Sequence, residues 1–216
     1  MKQMSQRVVR ILMTLVAVTS CRIASGQSHP PIVQPGAPGK PSRVIAVREA
    51  VDLSGVQYTE ADVRFMQGMI AHHAQALEMT ALLPSRSTRE DIRKLALRIE
   101  VSQADEIKMM QDWLRARGQE VPDVRAHHAH GATLMPGMLT AEEMGRLAEA
   151  KVPDFDRLFL EFMIKHHEGA LVMVEDLFSQ PGAGQESEMF AFASDVNADQ
   201  RMEIERMRAM LKEFQR

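Results

Sequence analysis

Beyond residue 58, apolar residues recur at helical spacing. Asp62, Phe65, Met69, His72, Ala76 and Met79 step along the chain by 3, 4, 3, 4 and 3, and Asp156, Phe159, Met163, His166, Ala170 and Met173 repeat the pattern. Such a stripe is the seam of a helix packed at a shallow angle in a bundle. Gln103, Ile107, Met110 and Leu114, and again Gln200, Ile204, Met207 and Leu211, form matching 4, 3, 4 seams. Boundary signals divide the pattern into elements. Thr59-Glu-Ala-Asp62 resembles a capping box, with Asp in the place of Glu or Gln, and opens a helix that Pro84 ends. Thr88, followed by Arg89, Glu90 and Asp91, opens a second helix to about Arg117, stopped by Gly118. Thr140-Ala-Glu-Glu143 starts a short helix to about Ala150. A third long helix begins near Pro153 or Asp154 and ends before Pro181-Gly182, and a fourth runs from about Gln185 to the C-terminus. No segment alternates with period two, so the predicted class is all-α.

The long helices are copied. Over residues 65–79 and 159–173, eight of fifteen positions are identical, among them Met69/Met163, His72/His166, His73/His167 and Met79/Met173. The partner helices share Gln-x-x-Glu-Ile-x-x-Met, as Gln103, Glu106, Ile107, Met110 and as Gln200, Glu203, Ile204, Met207. Two hairpins that each expose one apolar stripe are satisfied by closing on each other, which predicts a four-helix bundle of two tandem α-hairpins with pseudo-twofold symmetry. The expected organisation is a first hairpin over 58–118, a connection over 119–139, and a short helix plus second hairpin over 140–216, together one bundle domain.

The N-terminal part follows other rules. Lys2, Arg7 and Arg10 precede the apolar run Ile11–Val18, then Thr19 and Ser20, so residues 1–20 read as a secretory signal. That run is too short to span a bilayer as a helix. Val18-Thr-Ser-Cys21 fits a permissive lipobox whose cysteine is lipidated; cleavage after Ala24-Ser-Gly26 is the alternative. The lipoprotein reading is preferred because the only cysteine of the chain ends the apolar run. Either route predicts a periplasmic or cell-envelope protein, tethered to the membrane if Cys21 is modified. Residues 21–57 hold five prolines between 30 and 41 and read as an extended tether, with Val44–Leu53 open as a docked strand or turn.

Composition narrows the chemistry. Of 216 residues 45% are hydrophobic and 25% charged, which suits a globular domain, and the net charge of −3, or −6 without the leader, argues against nucleic acid. One cysteine excludes a thiolate zinc or iron–sulfur site within the chain, so metal chemistry must use His, Met and carboxylates. The excess lies in 17 Met and 8 His.

A buried imidazole needs partners for both nitrogens, and Leu would pack better in a seam, so His72 and His166 call for a use. Met69-x-x-His72 and Met163-x-x-His166 have the spacing at which di-iron bundles carry Glu-x-x-His; a thioether in place of the carboxylate softens the site toward Cu(I). The candidate ligands are therefore His72, His73, Met69 and Met79 in one copy and His166, His167, Met163 and Met173 in the other. His127, His128 and His130, followed by Met135 and Met138, form a third cluster in the connection, expected to bind more weakly and exchange faster. Met144, Met189, Met202 and Met210 are read as core filler. Glu106 and Glu203, one position off the seam, are read as solvated or hydrogen-bonded to a histidine, with direct ligation the lesser reading, and Asp62 and Asp156 as helix-start residues.

The Phe-Met-x-Gly-Met-Ile-x-His-His-x-x-Ala-x-x-Met segment at 65–79, its looser copy at 159–173 and Met135-Pro-Gly-Met-Leu-Thr140 resemble the bacterial domain-of-unknown-function 305 family over about residues 57–214. The resemblance implies a ferritin-like four-helix bundle in exported proteins, some associated with copper binding and copper tolerance. Met66 and Gly68 are Leu160 and Phe162 in the second copy, so two sites need not bind equally. The expectation is an exported copper-binding protein that sequesters or transfers Cu(I), with Cu(II) possible at the histidine pairs. No nucleophile triad or phosphate loop points to an enzyme. A metal-free helical scaffold, whose histidines fix register, and a di-iron oxidase are the alternatives.

Overall fold

The computed structural model describes residues 30–34, 41–52, 55–125 and 134–215. Cys21, His127, His128, His130 and the leader lie outside the described residues. A small N-terminal unit pairs β1 (Ile32–Gln34) antiparallel with β2 (Arg43–Ile45), Val33 facing Val44, and continues into one helical turn, α1 (Val47–Ala50). The tether thus contains a short ladder that the sequence pattern did not announce. Ile32, Val33, Val44 and Ile45 have the β-branched stiffness that favours it, but three residues per strand are too few to show alternation.

The second unit, from Asp52 onward, is helical. Helix α2 (Glu60–Thr80) begins with the expected reciprocal cap: the Thr59 hydroxyl accepts from the Asp62 amide at 3.3 Å, and the Thr59 amide donates to Asp62 Oδ2 at 2.6 Å. Pro84 does not end α2. It sits in the first turn of α3 (Leu83–Arg86), where a missing N–H costs nothing. Helix α4 (Glu90–Ala116) starts at Arg89, without a side-chain cap, rather than at Thr88, and Gly118 ends it with a φ of 65° while Gln119 N–H bonds back to the Leu114 carbonyl. Helices α5 (Ala141–Glu149), α6 (Asp154–Ser179) and α7 (Ser187–Leu211) follow the predicted bounds, and Lys212–Gln215 tightens into a 3₁₀ turn. Thr140 and Glu143 make the full capping box that opens α5. Thr140→Ala is expected to lower unfolding free energy by about 1 kcal/mol, read as a shift of the urea midpoint at unchanged m-value.

Helices α2 and α4 form one hairpin, α6 and α7 the other, and α2 packs on α6. The two inner helices run antiparallel: Asp62 at the start of α2 accepts from Gly184 N–H beyond the end of α6 at 2.7 Å, whereas His72 meets His166 halfway along both. Arg98 reaches from α4 to Asp199 and Glu203 on α7. The fold is the all-α four-helix bundle expected from the seams.

Its core is in two pieces. One apolar cluster takes Phe65, Met66, Met69 and Ile70 from α2, Ile107 to Leu114 from α4, Met173 to Leu177 from α6 and Met189 to Val196 from α7. The other takes Ala76 and Met79, Ile92 to Ile99, Phe155 to Ile164, and Ile204 and Met207. Each therefore draws on all four long helices. Met189 is core as expected, Met144 and Met210 are half-buried, and Met202 is 55% exposed, because its position faces away from the α7 seam.

Candidate metal centre at the bundle midpoint

Between the two apolar clusters lies a buried polar layer. His72 and His73 come from α2, His166 and His167 from α6, Gln103 from α4, and Gln200 and Glu203 from α7, all buried. Glu106 on α4 completes it, with its side chain 15% exposed. The repeat places equivalent residues at the middle of equivalent helices, and antiparallel packing of α2 on α6 brings the two copies together there.

The inner histidines touch. The rings of His72 and His166 lie 3.9 Å apart between centroids, at 37°. His72 Nε2 is 3.0 Å from the Pro136 carbonyl oxygen, which only accepts, so the neutral ring carries its proton on Nε2 and leaves a lone pair on Nδ1. That Nδ1 and both nitrogens of His166 are buried without a hydrogen-bond partner. Burial pushes the His72 pKa down to about 3, helped by the neighbouring His73 charge. Burial also holds His166 well below the usual range, followed by the charges of His72 and His167; the His72 backbone, outside hydrogen-bonding geometry, opposes this weakly. Both inner rings are thus neutral at physiological pH, the state a metal requires.

The outer histidines are held differently. His73 Nε2 meets Glu106 Oε2 at 2.6 Å and His167 Nε2 meets Glu203 Oε2 at 2.7 Å, so each carboxylate orients one ring across a hairpin. Of the alternatives for Glu106 and Glu203, the structure displays the hydrogen bond to histidine. Nδ1 of both rings has no partner. Gln103 has neither amide atom bonded, and Gln200 lacks a partner for Oε1. This density of unpaired buried polar atoms is unusual for a folded core and points to a ligand or water in the layer.

The methionines divide between the halves. Met69 and Met173 belong to the first apolar cluster, with Met135 packed against it; Met79 and Met163 belong to the second. Among the described residues, no group of three or more His, Cys, Asp or Glu side chains is placed to hold a metal ion. A metal held by these residues thus needs sulfur or a backbone carbonyl beside the imidazoles.

Residues 134–139 do not behave as a loose loop. Met138 and Leu139 are buried, and the Gln75 amide bonds both the Leu139 N–H, at 2.7 Å, and its carbonyl, at 2.9 Å. Gly137 has a φ of 76° and lies against Gly169, where a Cβ would fall 1.9 Å from the Pro136 oxygen. Gln75, Gly137 and Gly169 escaped the sequence reading, which compared the copies where they agree. Gln75 and Gly169 are equivalent positions at which they differ.

Asp62, read as a helix-start residue, also ties the hairpins together through Gly184; Asp156, its equivalent, is buried with Oδ1 unpartnered.

Comparison with known proteins follows this geometry. A family described as Domain of unknown function (DUF305) matches residues 62–211. A DUF305 fragment from Deinococcus radiodurans is 33% identical, with 72% of this chain and 98% of that one covered and a TM-score of 0.61. A DUF305 protein from Streptomyces coelicolor, described as secreted, is 30% identical over 71% of this chain and 93% of its own, with a TM-score of 0.60. A protein called CopM, solved in a Cu(I)-bound form, is 28% identical over 73% of this chain and 99% of its own, with a TM-score of 0.56; it was also solved bound to Cu(II) and to Ag. Among curated proteins, none matches the chain. The family match spans most of the chain and includes both His-His motifs: the chain belongs to the DUF305 family.

Proposed function

We propose that this protein binds copper outside the cytoplasm, Cu(I) in the first place and Cu(II) at the histidine pairs, and sequesters it or hands it on. The observation that carries the reading is the buried contact of His72 with His166, whose neutral rings leave three nitrogens without a hydrogen bond. Thioethers on the same helix faces supply the soft donors that favour Cu(I) over iron or manganese. Copper-bound and silver-bound forms of CopM, a similar bundle, support the same chemistry. His73 and His167, each tied to a glutamate, orient the layer and offer Nδ1 as a further donor. The second site of this reading is the His127, His128, His130, Met135 and Met138 segment, and Cys21 is its lipid anchor. The secreted relative supports export.

Competition with a Cu(I) chelator tests the assignment. His72→Ala/His166→Ala should weaken binding by more than the roughly 10–100-fold typical of losing an outer partner, while His127→Ala/His128→Ala removes only a weaker phase. Circular dichroism should show the helices retained. Parent-like affinity in both variants would make the histidine layer structural and favour the scaffold.

A further inference from the structure

The two copies are not equivalent around the connection. Gly68, one turn before His72, stands where the second copy has Phe162, and Gly169 stands where the first copy has Gln75. These two glycines make the seat of residues 135–137. A Cβ on Gly169 would collide with the Pro136 carbonyl, whereas a Cβ on Gly68 would lie 3.4 Å from Met173 Cε, 3.9 Å from Met135 Cγ and 4.0 Å from Met135 Sδ. Two methionine side chains, one from the connection and one from α6, thus converge over a residue without a side chain. The Pro136 carbonyl is bonded to His72, so Met135 is anchored next to the ring whose Nδ1 is free. In the other half Phe162 is buried and belongs to the same apolar cluster as Met79 and Met163. A cavity of about 270 Å³ between α2 and α6, lined by Phe65, Met173, Asp176 and Leu177, opens the first half to solvent at Met173.

We infer that the bundle core takes one soft monovalent cation, Cu(I) or Ag(I), in a one-sided cradle of Met135 and Met173 over Gly68 beside His72, rather than two ions at two equivalent His-His motifs. The inference rests on the copper reading above and specifies its donors. Thioether sulfur suits such a cation, and Met135 and Met173 reach it from separate elements whose packing holds them in place.

The test uses the full chain carrying His127→Ala, His128→Ala and His130→Ala, loaded anaerobically with Cu(I), and reads stoichiometry by chelator competition and donor type by X-ray absorption at one equivalent. One tight equivalent with both sulfur and nitrogen neighbours is expected. Met135→Leu/Met173→Leu, close in shape, should remove the sulfur signal and weaken binding at least 10-fold, as should Gly68→Phe. Met79→Leu/Met163→Leu should leave the first equivalent unchanged. Two equal equivalents, or a nitrogen-only signal in the parent, would overturn the inference. Binding that needs His72 and His166 but ignores Met135, Met173 and Gly68 would overturn it while leaving the copper reading intact; binding indifferent to the histidines would remove the copper reading itself.

Discussion

Acidifying the metal-free protein from pH 6.5 to pH 5 is expected to lower its folding free energy by about 2 kcal/mol through His72 alone. In the folded chain this ring stays neutral until about pH 3, while in the unfolded chain it takes up a proton near its model value of 6.5. The unfolded state therefore binds more protons throughout that interval, and acid favours it. The contribution is whole above pH 6.5, falls through the interval and is fully lost below pH 3. His166, shifted the same way by burial, adds to the effect. The groups around the pair are His73 with Glu106 and His167 with Glu203. Urea midpoints at pH 7, 6 and 5 measure the slope, and His72→Leu/His166→Leu should flatten it. A slope unchanged in that variant would place the acid sensitivity elsewhere.

Gly169→Ala is expected to be the most disruptive single methyl group in the bundle. The added carbon would lie 1.9 Å from the Pro136 oxygen, 2.4 Å from its carbonyl carbon and 2.5 Å from Gly137 Cα, all backbone atoms that cannot rotate away. Residues 134–139 must therefore lift, breaking the His72 bond to Pro136 and both bonds between Gln75 and Leu139. A cost of about 1–3 kcal/mol is typical of overpacking, with further loss if the Gln75 amide is left buried and unpaired. Hydrogen exchange should show the Leu139 amide losing protection while α4 and α7 keep theirs. An undisturbed Leu139 amide would show that the clamp tolerates the methyl group.

Much of this was legible in the sequence. The 3, 4 stepping of Asp62 to Met79 and of Asp156 to Met173 places both inner histidines at buried seam positions, and the structure agrees at all twelve positions. The pairing of Glu106 with His73 was within reach, because one position off a seam still faces a neighbouring helix. The clamp over 134–139 was not. Its glycines have no side-chain pattern, and their need arises from approach of a distant segment, which periodicity within a helix cannot register. The β1–β2 ladder was hidden for a related reason: its strands are too short for alternation, and the prolines around them outweigh four β-branched residues in any local count.

The division of the apolar core into two clusters, each built from α2, α4, α6 and α7, bears on how this chain can be taken apart. A duplicated hairpin invites the idea that either half once stood alone and could be expressed alone. Neither cluster belongs to one hairpin, so a fragment ending near residue 125 would carry half of two cores and the whole of none. Severing the chain between the hairpins would leave two pieces that become ordered together, by association, or stay unfolded.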